Sequence, residues 1–270
     1  MIFYFSATGN TLWAAQRVAQ VTDERLLSVA ELIKSQHAFA LEKGERVGFI
    51  YPIYGWRPPV IMREFVRKLT LTTQQPSDNL SSHYCFALCT AGDDLGLSMD
   101  YLNSDLKTVG LQTNATFSLK MPNTYVGLPF MDIDSEEVIH KKREIAEVQL
   151  REYCEQIFDR IHCKNQRNQS HWPRINSNIL GAFFVNKLIT DKPFHVEKQR
   201  CVKCGICANV CPVDNIEGGH GLMPKWKHTN RCLTCFACYH HCPHHAIEYG
   251  KRTVKKGQYF YNRYKVKENI

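Results

Sequence analysis

Two groups of four cysteines near the C-terminus have the same spacing and could bind metal. The first group is Cys201, Cys204, Cys207 and Cys211, followed by Pro212, and the second is Cys232, Cys235, Cys238 and Cys242, followed by Pro243. Three thiolates separated by two residues each, with a fourth cysteine and a proline beyond, are typical of [4Fe–4S] binding, and the fourth cysteine of each run ligates the other cluster. The spacing therefore predicts two clusters, one held by Cys201, Cys204, Cys207 and Cys242 and one by Cys232, Cys235, Cys238 and Cys211.

Zinc and disulfides are the alternatives for these cysteines. Zinc favours two separated ligand pairs, and three cysteines this close would crowd a tetrahedral ion. Disulfides need an oxidising compartment, but Met1 opens directly into the strand-like residues 2–5, without a basic segment ahead of them. No apolar run approaches the length of a membrane span. We therefore expect reduced cysteines and a cytoplasmic protein; the four other cysteines are not assigned to metal.

A second candidate site lies at the N-terminus, where a predicted strand meets a predicted helix. The connecting residues are small and carry hydroxyl or amide groups: Ser6, Thr8, Gly9, Asn10 and Thr11. Backbone N–H groups at such a turn, together with the helix N-terminus, can bind a phosphate. The lysine of a nucleoside-triphosphate loop and the GxGxxG fingerprint are both missing. The loop therefore favours a monophosphate such as that of FMN, and a capped helix without a ligand is the alternative.

Two later loops could contact the flavin ring. The first contains Pro52, Ile53, Tyr54, Gly55 and Trp56, and the second contains Thr90, Ala91, Gly92 and Asp93. Tyr54 or Trp56 could stack on the isoalloxazine ring, although core packing also explains a single aromatic residue there. Asp93 could accept a hydrogen bond from a ring N–H or cap the next helix.

Strand-like and helix-like stretches alternate through the first half of the chain. We predict strands at 2–6, 46–51, 83–89 and 114–119, and helices at 11–21, 60–69, 97–109 and from 134 or 135 to about 161. This alternation predicts an α/β domain with a doubly wound parallel sheet, which binds ligands at the carboxyl ends of its strands.

The sequence divides into four predicted segments. An FMN-binding domain covers 1–163, and 164–191 forms a polar linker and a helix at 176–189 that packs between the domains, with a membrane-surface helix as the alternative. The cluster domain covers 192–250 and repeats one unit in which a short helix follows each Cys–Pro. Residues 251–270 form a basic tail, either solvated or docking an acidic redox partner.

Charge gives little support for nucleic-acid binding. The formal net charge is +8, but two clusters with their thiolates would remove about four positive charges, and a flavin phosphate about two more. We therefore expect no nucleic-acid partner.

These motifs carry a family resemblance. Residues 1 to about 160 resemble a flavodoxin, and nearly the whole chain is similar to the bacterial flavodoxin–ferredoxin fusion family. The similarity rests on 6–11, 54–56, 91–94, 121–125, 246–251 and the two cysteine motifs. It implies a flavodoxin-like sheet with FMN, then a small α+β bacterial ferredoxin-like domain with two [4Fe–4S] clusters, and electron transfer. Flavodoxins and ferredoxins are usually acidic, whereas this chain is basic.

Three functional hypotheses follow. The first is a redox carrier or adaptor that passes electrons between FMN and the clusters and on to an unidentified redox partner protein. The second is an FMN-dependent reductase of a quinone or nitro compound, with Asn123 and Tyr125 lining the substrate pocket. In the third hypothesis, the clusters only stabilise the fold and the protein has no redox role. Oxygen-sensitive clusters also suggest an anaerobic host.

Four histidines crowd the second cysteine motif: His240, His241, His244 and His245. They are either solvated, or one of them donates to a cluster sulfur and makes its potential depend on pH.

Overall fold

A parallel sheet organises the first part of the protein. The computed structural model describes residues 1–35, 37–74, 78–164 and 171–263. The strands of this part are β1 (Ile2–Tyr4), β2 (Leu26–Ser28), β3 (Ala38–Leu41), β4 (Val47–Pro52), β5 (Thr70–Thr73), β6 (Cys85–Ala91), β7 (Ala115–Lys120) and β8 (Cys163–Lys164). Six of them form the main sheet in the order β2-β1-β4-β6-β7-β8, while β3 and β5 pair separately. All pairs are parallel, which confirms the predicted fold class.

The strand order creates a switch point between β1 and β4. The chain passes from β1 outward to β2 and later returns to place β4 on the other side of β1. Apart from the short β8, the order corresponds to the 2-1-3-4-5 arrangement of flavodoxin-like sheets, in which ligands bind at the carboxyl ends of the strands beside the switch. The loops after β1, β4 and β6 therefore meet at one edge.

Helices cover both faces of the main sheet. They are α1 (Asn10–Thr22), α2 (Val29–Leu32), α3 (Val60–Lys68), α4 (Ser98–Lys107) and α5 (Glu136–Phe158). Phe3 and Phe49 face the core shared with α3 and α4, whereas Ile2 and Ile50 face the core shared with α1 and α5. Because both faces are buried, the central strands are largely apolar; all seven residues of β6 are buried.

The long predicted elements are found at nearly their predicted positions, but several short ones were not predicted. The strands β2, β3, β5 and β8 have two to four residues each. Such short segments carry too few residues for a recognisable apolar period, and their strand conformation depends on the neighbouring strand.

Small antiparallel sheets and two short helices form the second part. Strand β9 (Phe194–Val196) pairs with β12 (Ile247–Tyr249), and β10 (Ile216–Gly219) pairs with β11 (Leu222–Trp226). The helices α7 (Ile206–Asn209) and α8 (Ala237–His240) precede the Cys–Pro dipeptides. The prediction of a helix after each Cys–Pro was therefore wrong. The backbone N–H of Asn215 and that of Ala246 each turn back to the sulfur of the preceding motif cysteine at 3.2 Å, which closes a turn.

A helical segment at 175–188, here called the bridging helix, connects the two parts. Its hydrogen bonding is π-helical at Ile175–Leu180 and Phe184–Leu188 and α-helical at Gly181–Phe183 (α6). The predicted helix at 176–189 is thus present, but its π-helical character was not predicted. Most of the predicted polar linker, residues 165–170, lies outside the described residues.

The segment after β12 is packed against the rest of the protein. Thr253, Gln258 and Tyr259 are buried, so this stretch is not a freely solvated tail, although the basic side chains of Lys251 and Lys255 are exposed. Lys265 and Lys267 lie outside the described residues. Within the described part of the chain, no helix has the length and apolar character needed to cross a membrane.

Candidate functional site

A cavity of about 630 Å³ lies at the carboxyl ends of the central strands. All the residues proposed to contact FMN line its wall except Ser6 and Gly9. The wall also contains residues that the sequence did not assign to the flavin: Ala7, Asp94, Met121, Pro122, Thr124, Leu128, Met131, Asp134, Lys142, Leu180, Phe183, Phe184, Leu188, Thr234 and Cys235. Asn123 and Tyr125, which were considered for a substrate pocket, line the same cavity.

The loop after β1 has the features of a phosphate site. Gly9 precedes α1 with φ of 93°, a conformation that favours glycine and turns the chain into the helix. The side-chain oxygen of Ser6 is buried and has no hydrogen-bond partner among the described residues. A phosphate oxygen could accept from this hydroxyl at the positive end of α1, a helix of 13 residues.

Two predicted residues of this loop hold the neighbouring loops in place. The Thr11 hydroxyl lies 2.8 Å from the Thr90 hydroxyl, which ties the loop after β1 to the end of β6. The Asn10 side chain donates to the Pro122 carbonyl at 3.1 Å and accepts from the Tyr259 hydroxyl at 2.9 Å. Because both its amide groups are engaged, Asn10 positions the cavity wall.

Residues 252–261, here called the C-terminal strap, return from the second part of the chain to this cavity. The Tyr261 backbone N–H donates to the Thr8 carbonyl at 2.8 Å, and the Tyr261 ring stacks on Trp13 at a centroid distance of 5.3 Å. Earlier in the strap, Lys256 donates to the carbonyls of Val126, Leu128 and Met131. The strap therefore fixes two loops of the cavity, although its basic composition suggested a solvated tail.

The loop after β4 is a tight turn. Tyr54 and Arg57 exchange backbone hydrogen bonds of 3.0 and 3.3 Å around Gly55 and Trp56, whose φ angles are 57° and 58°. Positive φ at both central residues defines a type I′ turn, and it is unusual for a side chain as large as that of Trp56. The turn places both aromatic side chains, Tyr54 and Trp56, on the cavity wall.

One of the two roles predicted for Asp93, in the loop after β6, is wrong. Helix α4 begins at Ser98 after Leu97 and has no side-chain cap, so Asp93 does not cap it. The Asp93 side chain is largely exposed and lies 3.4 Å from Lys120. Lys142 donates to the Gly92 carbonyl at 3.0 Å and to Asp134 at 2.7 Å, which places a positive charge on this side of the cavity.

The eight motif cysteines come together as two sets. Cys207 interacts electrostatically with Cys242, Cys201 and Cys204, and all four line one small cavity; we call them the outer set. Cys238 interacts with Cys235, Cys232 and Cys211, which form the inner set with it. Each set takes one cysteine from the other motif, as the spacing predicts. Among the described residues, no three His, Cys, Asp or Glu side chains are arranged to hold a single metal ion.

Most of the motif thiols are buried or half-buried, and several receive backbone hydrogen bonds. Burial raises the pKa of Cys207 and that of Cys232 to about 11, and it raises the pKa of Cys235 further. Backbone N–H groups donate to Cys211 at 3.2 Å and to Cys232 at 3.3 Å. Such N–H···S bonds stabilise thiolates and tune the potential of an iron–sulfur cluster.

The inner set directly adjoins the large cavity. Cys235 and its neighbour Thr234 lie on the cavity wall, opposite the loops that follow the central strands. Burial is the main cause that raises the pKa of Tyr54 well above its ordinary value, and the nearby sulfurs of Cys235 and Cys232 raise it further. Tyr54 is therefore a neutral aromatic side chain close to the inner set. In the outer set, Cys204 is exposed to solvent.

The histidines beside the second motif do not donate to sulfur in the described hydrogen bonds. His240 is fully buried; its Nε2 lies 2.7 Å from the Thr124 carbonyl, and its Nδ1 accepts the Tyr259 N–H at 3.2 Å. Burial lowers its pKa to about 3. His241 bonds to the Ala237 carbonyl, and His245 lies 3.7 Å from Glu248. The solvated interpretation is therefore wrong for His240, which links the two parts of the chain.

Comparison with known protein families gives a separate match for each of the two parts of the chain. Residues 1–118 match the flavodoxin domain model, and residues 194–243 match the 4Fe-4S dicluster domain model. The chain thus joins an N-terminal flavodoxin domain to a C-terminal 4Fe-4S dicluster domain, which makes it an electron-transfer flavo-iron–sulfur protein. FMN and iron–sulfur clusters are its cofactors.

Solved flavodoxins are similar to part of the chain. The flavodoxin of Streptococcus pneumonia TIGR4 has 15% identity and a TM-score of 0.29, over 56% of this chain and 97% of that chain. A short-chain flavodoxin associated with a bacterial microcompartment has 16% identity and a TM-score of 0.27, over 56% and 95%. No curated protein matches the chain.

The residues present fit both kinds of cofactor. The partnerless hydroxyl of Ser6 in the loop that precedes α1 suits a phosphate, and the aromatic and glycine-containing loops suit a planar ring. Two sets of four thiols with N–H donors suit two cubane clusters.

Proposed function

We propose that the protein carries electrons within one chain, between FMN in the large cavity and two [4Fe–4S] clusters. The observation that carries the proposal is the position of Cys235, which belongs to the inner set and also lies on the wall of the flavin cavity. FMN exchanges one or two electrons when bound, and each cluster exchanges one. Because the flavin cavity and the inner set share a wall, electrons can pass between the two centres within one molecule, and no diffusional encounter is needed.

The thiol positions support an order of centres. The inner set adjoins the flavin cavity, and Cys238 of this set interacts electrostatically with Cys207 of the outer set. The outer set ends in the exposed Cys204. The proposed order is FMN, inner cluster, outer cluster and then the surface around Cys204.

The surface around Cys204 is the proposed contact for a redox partner protein. Val202 and Lys203, next to it in the sequence, are exposed, and both line the cavity of the outer set. An apolar side chain beside a lysine suits a partner with an acidic rim. Conversion of Lys203 to Glu should then slow reduction of an acidic ferredoxin, whereas flavin reduction by dithionite stays unchanged.

A kinetic experiment tests the intramolecular step. The protein is purified anaerobically, its flavin, iron and sulfide are quantified, and a substoichiometric amount of dithionite is added in a stopped-flow instrument. We expect flavin and cluster absorbance to equilibrate in a first-order phase whose rate constant does not depend on protein concentration. A rate proportional to protein concentration would mean that electrons pass between molecules, and the proposal would then fail.

The second candidate function is reduction of a small substrate at the flavin. It is favoured by the apolar side of the cavity, where Leu180, Phe183, Phe184 and Leu188 of the bridging helix join Tyr125. Reoxidation of the reduced protein separates the two functions. Faster reaction with a quinone or nitroaromatic than with a ferredoxin favours the reductase, and the reverse favours the carrier.

A further inference from the structure

The bridging helix, together with Trp172 just before it, exposes a row of apolar side chains, here called the stripe. Its residues lie three or four positions apart, about one helical turn each. Their exposed fractions are 68% for Trp172, 45% for Ile175, 64% for Ile179 and 58% for Phe183. A row of large apolar side chains in water is unfavourable unless another surface covers it.

The opposite side of this helix is fixed against the flavodoxin domain. Ser177 is fully buried; its hydroxyl donates to the Trp56 carbonyl at 3.0 Å and accepts the Leu97 N–H at 2.8 Å. A Cβ atom on Gly55 would lie 2.6 Å from Phe184, which shows how closely the two segments pack. The helix therefore cannot rotate to bury the stripe without losing these contacts.

The charged residues of the helical segment itself have one sign. Arg174 and Lys187 stand near its two ends, and both are exposed. No Asp or Glu occurs from residue 171 to residue 190. An apolar face that carries a tryptophan and is flanked by cations matches the surface of anionic lipids, where aromatic rings sit at the headgroup level.

The stripe also continues into the flavin cavity. Leu180 and Phe183 are 46% and 58% exposed, and both line the cavity wall. A surface that covers the stripe therefore lies at the cavity entrance. An apolar molecule dissolved in that surface would meet apolar side chains along its path to the flavin.

We propose that the bridging helix and the preceding Trp172 bind an anionic lipid surface, with Ile175, Ile179 and Phe183 as the anchors on the helix. A second copy of the chain fits less well. In a symmetric dimer the stripe would face itself, and the acid-free helices would bring like charges together. This proposal does not depend on the order of the redox centres. The lipid-binding proposal and the electron-transfer proposal can therefore fail independently.

Vesicle co-sedimentation tests the proposal with the FMN- and cluster-loaded protein. The probes are vesicles of phosphatidylcholine alone and of phosphatidylcholine mixed with phosphatidylglycerol. We expect binding to the mixed vesicles, weaker binding to phosphatidylcholine alone, and further weakening by salt. Absence of binding to the mixed vesicles, or equal binding to both kinds, would overturn the proposal.

Matched substitutions identify the surface involved. Ile175→Ser with Ile179→Ser should reduce binding to the mixed vesicles by at least about tenfold, because two anchoring side chains are lost. The control is Ile145→Ser with Val148→Ser on α5, whose side chains are 46% and 66% exposed, against 45% and 64% for the stripe pair. Neither pair lines the flavin cavity.

The outcomes are distinguishable. The control should bind as the wild type does, and both double variants should retain their flavin and iron contents. Arg174→Glu with Lys187→Glu should weaken binding to the mixed vesicles only. An equal loss of vesicle binding in the control pair would contradict the proposal that the stripe binds lipid. So would a dimeric wild-type protein that the stripe variant converts to a monomer.

Discussion

The backbone N–H of Tyr261 donates to the carbonyl oxygen of Thr8 at 2.8 Å and joins the end of the described chain to the candidate phosphate loop. The Tyr261 ring stacks on Trp13 and also contacts the Arg143 guanidinium, whose carbon is 4.3 Å from the ring centroid. Two residues earlier, Tyr259 contacts both Asn10 and His240. The strap thus connects the phosphate loop to α8, the helix that contains Cys238 and precedes Cys242.

Tyr261→Ala should weaken FMN binding by about tenfold, since loss of the ring removes the stacking and cation–π contacts that hold the strap on the loop. Titration of the apoprotein with FMN, followed by flavin fluorescence, measures the change. Val254→Ala, in the same strap but 51% exposed, should leave the affinity unchanged. An unchanged affinity for Tyr261→Ala would show that the strap does not support the loop.

Lys256→Met should also weaken FMN binding, by several-fold, because three carbonyls of the cavity loop at 126–131 lose their shared donor. Lys255→Met is the matched control, because this neighbouring side chain is exposed. The same titration measures both variants. Equal effects of the two substitutions would point to charge alone and contradict the prediction.

Gly9→Ala should destabilise the phosphate loop for two reasons. Gly9 has φ of 93°, which costs about 1 kcal/mol for alanine, and its Cβ would lie 2.9 Å from the Tyr261 Cβ. Gly44→Ala is a control for the first reason alone, because Gly44 has φ of 78° and the nearest atom would be 3.7 Å away. Urea unfolding should show a larger loss for Gly9→Ala, and FMN affinity should fall only there. Equal losses would mean that the strap moves away without cost.

Cys204→Ser and Cys235→Ser should each remove one cluster but have different consequences. Loss of the outer cluster should leave exchange between the flavin and the inner cluster intact, whereas Cys235→Ser should abolish rapid exchange with the flavin. Iron and sulfide should fall to about half in both variants, with EPR identifying the remaining cluster. Rapid exchange in Cys235→Ser would contradict the proposed order of centres.

Tyr84→Phe should change how stability depends on alkaline pH. Burial raises the pKa of Tyr84, whose hydroxyl donates to the Ile161 carbonyl at 2.8 Å. A raised pKa means that this contribution is present below the ordinary tyrosine value of about 10 and is lost as pH rises towards the folded-state pKa. The variant should lose about 1 kcal/mol at neutral pH and show a flatter alkaline decline in urea unfolding. Parallel curves for the two proteins would contradict this.

The sequence determined features that depend on local spacing. Two residues between cysteines fix how three thiols wrap one cluster, so the two sets could be predicted before the fold was known. Alternating strands and helices determine a parallel sheet, and its geometry brings the loops at 6–11, 52–56 and 90–93 to one edge. The contacts of FMN with individual residues of these loops remain a prediction.

Only the tertiary structure decided how distant segments meet. The place of Cys235 on the flavin cavity wall depends on how the cluster domain docks, and no local pattern around Cys235 records that arrangement. The basic composition of the strap did not reveal that it packs against the rest of the protein, because Lys255 is exposed while the neighbouring Thr253 and Tyr259 are buried. Spacing along the chain specifies short-range geometry, whereas contacts between residues as distant as Thr8 and Tyr261 arise from packing of the whole molecule.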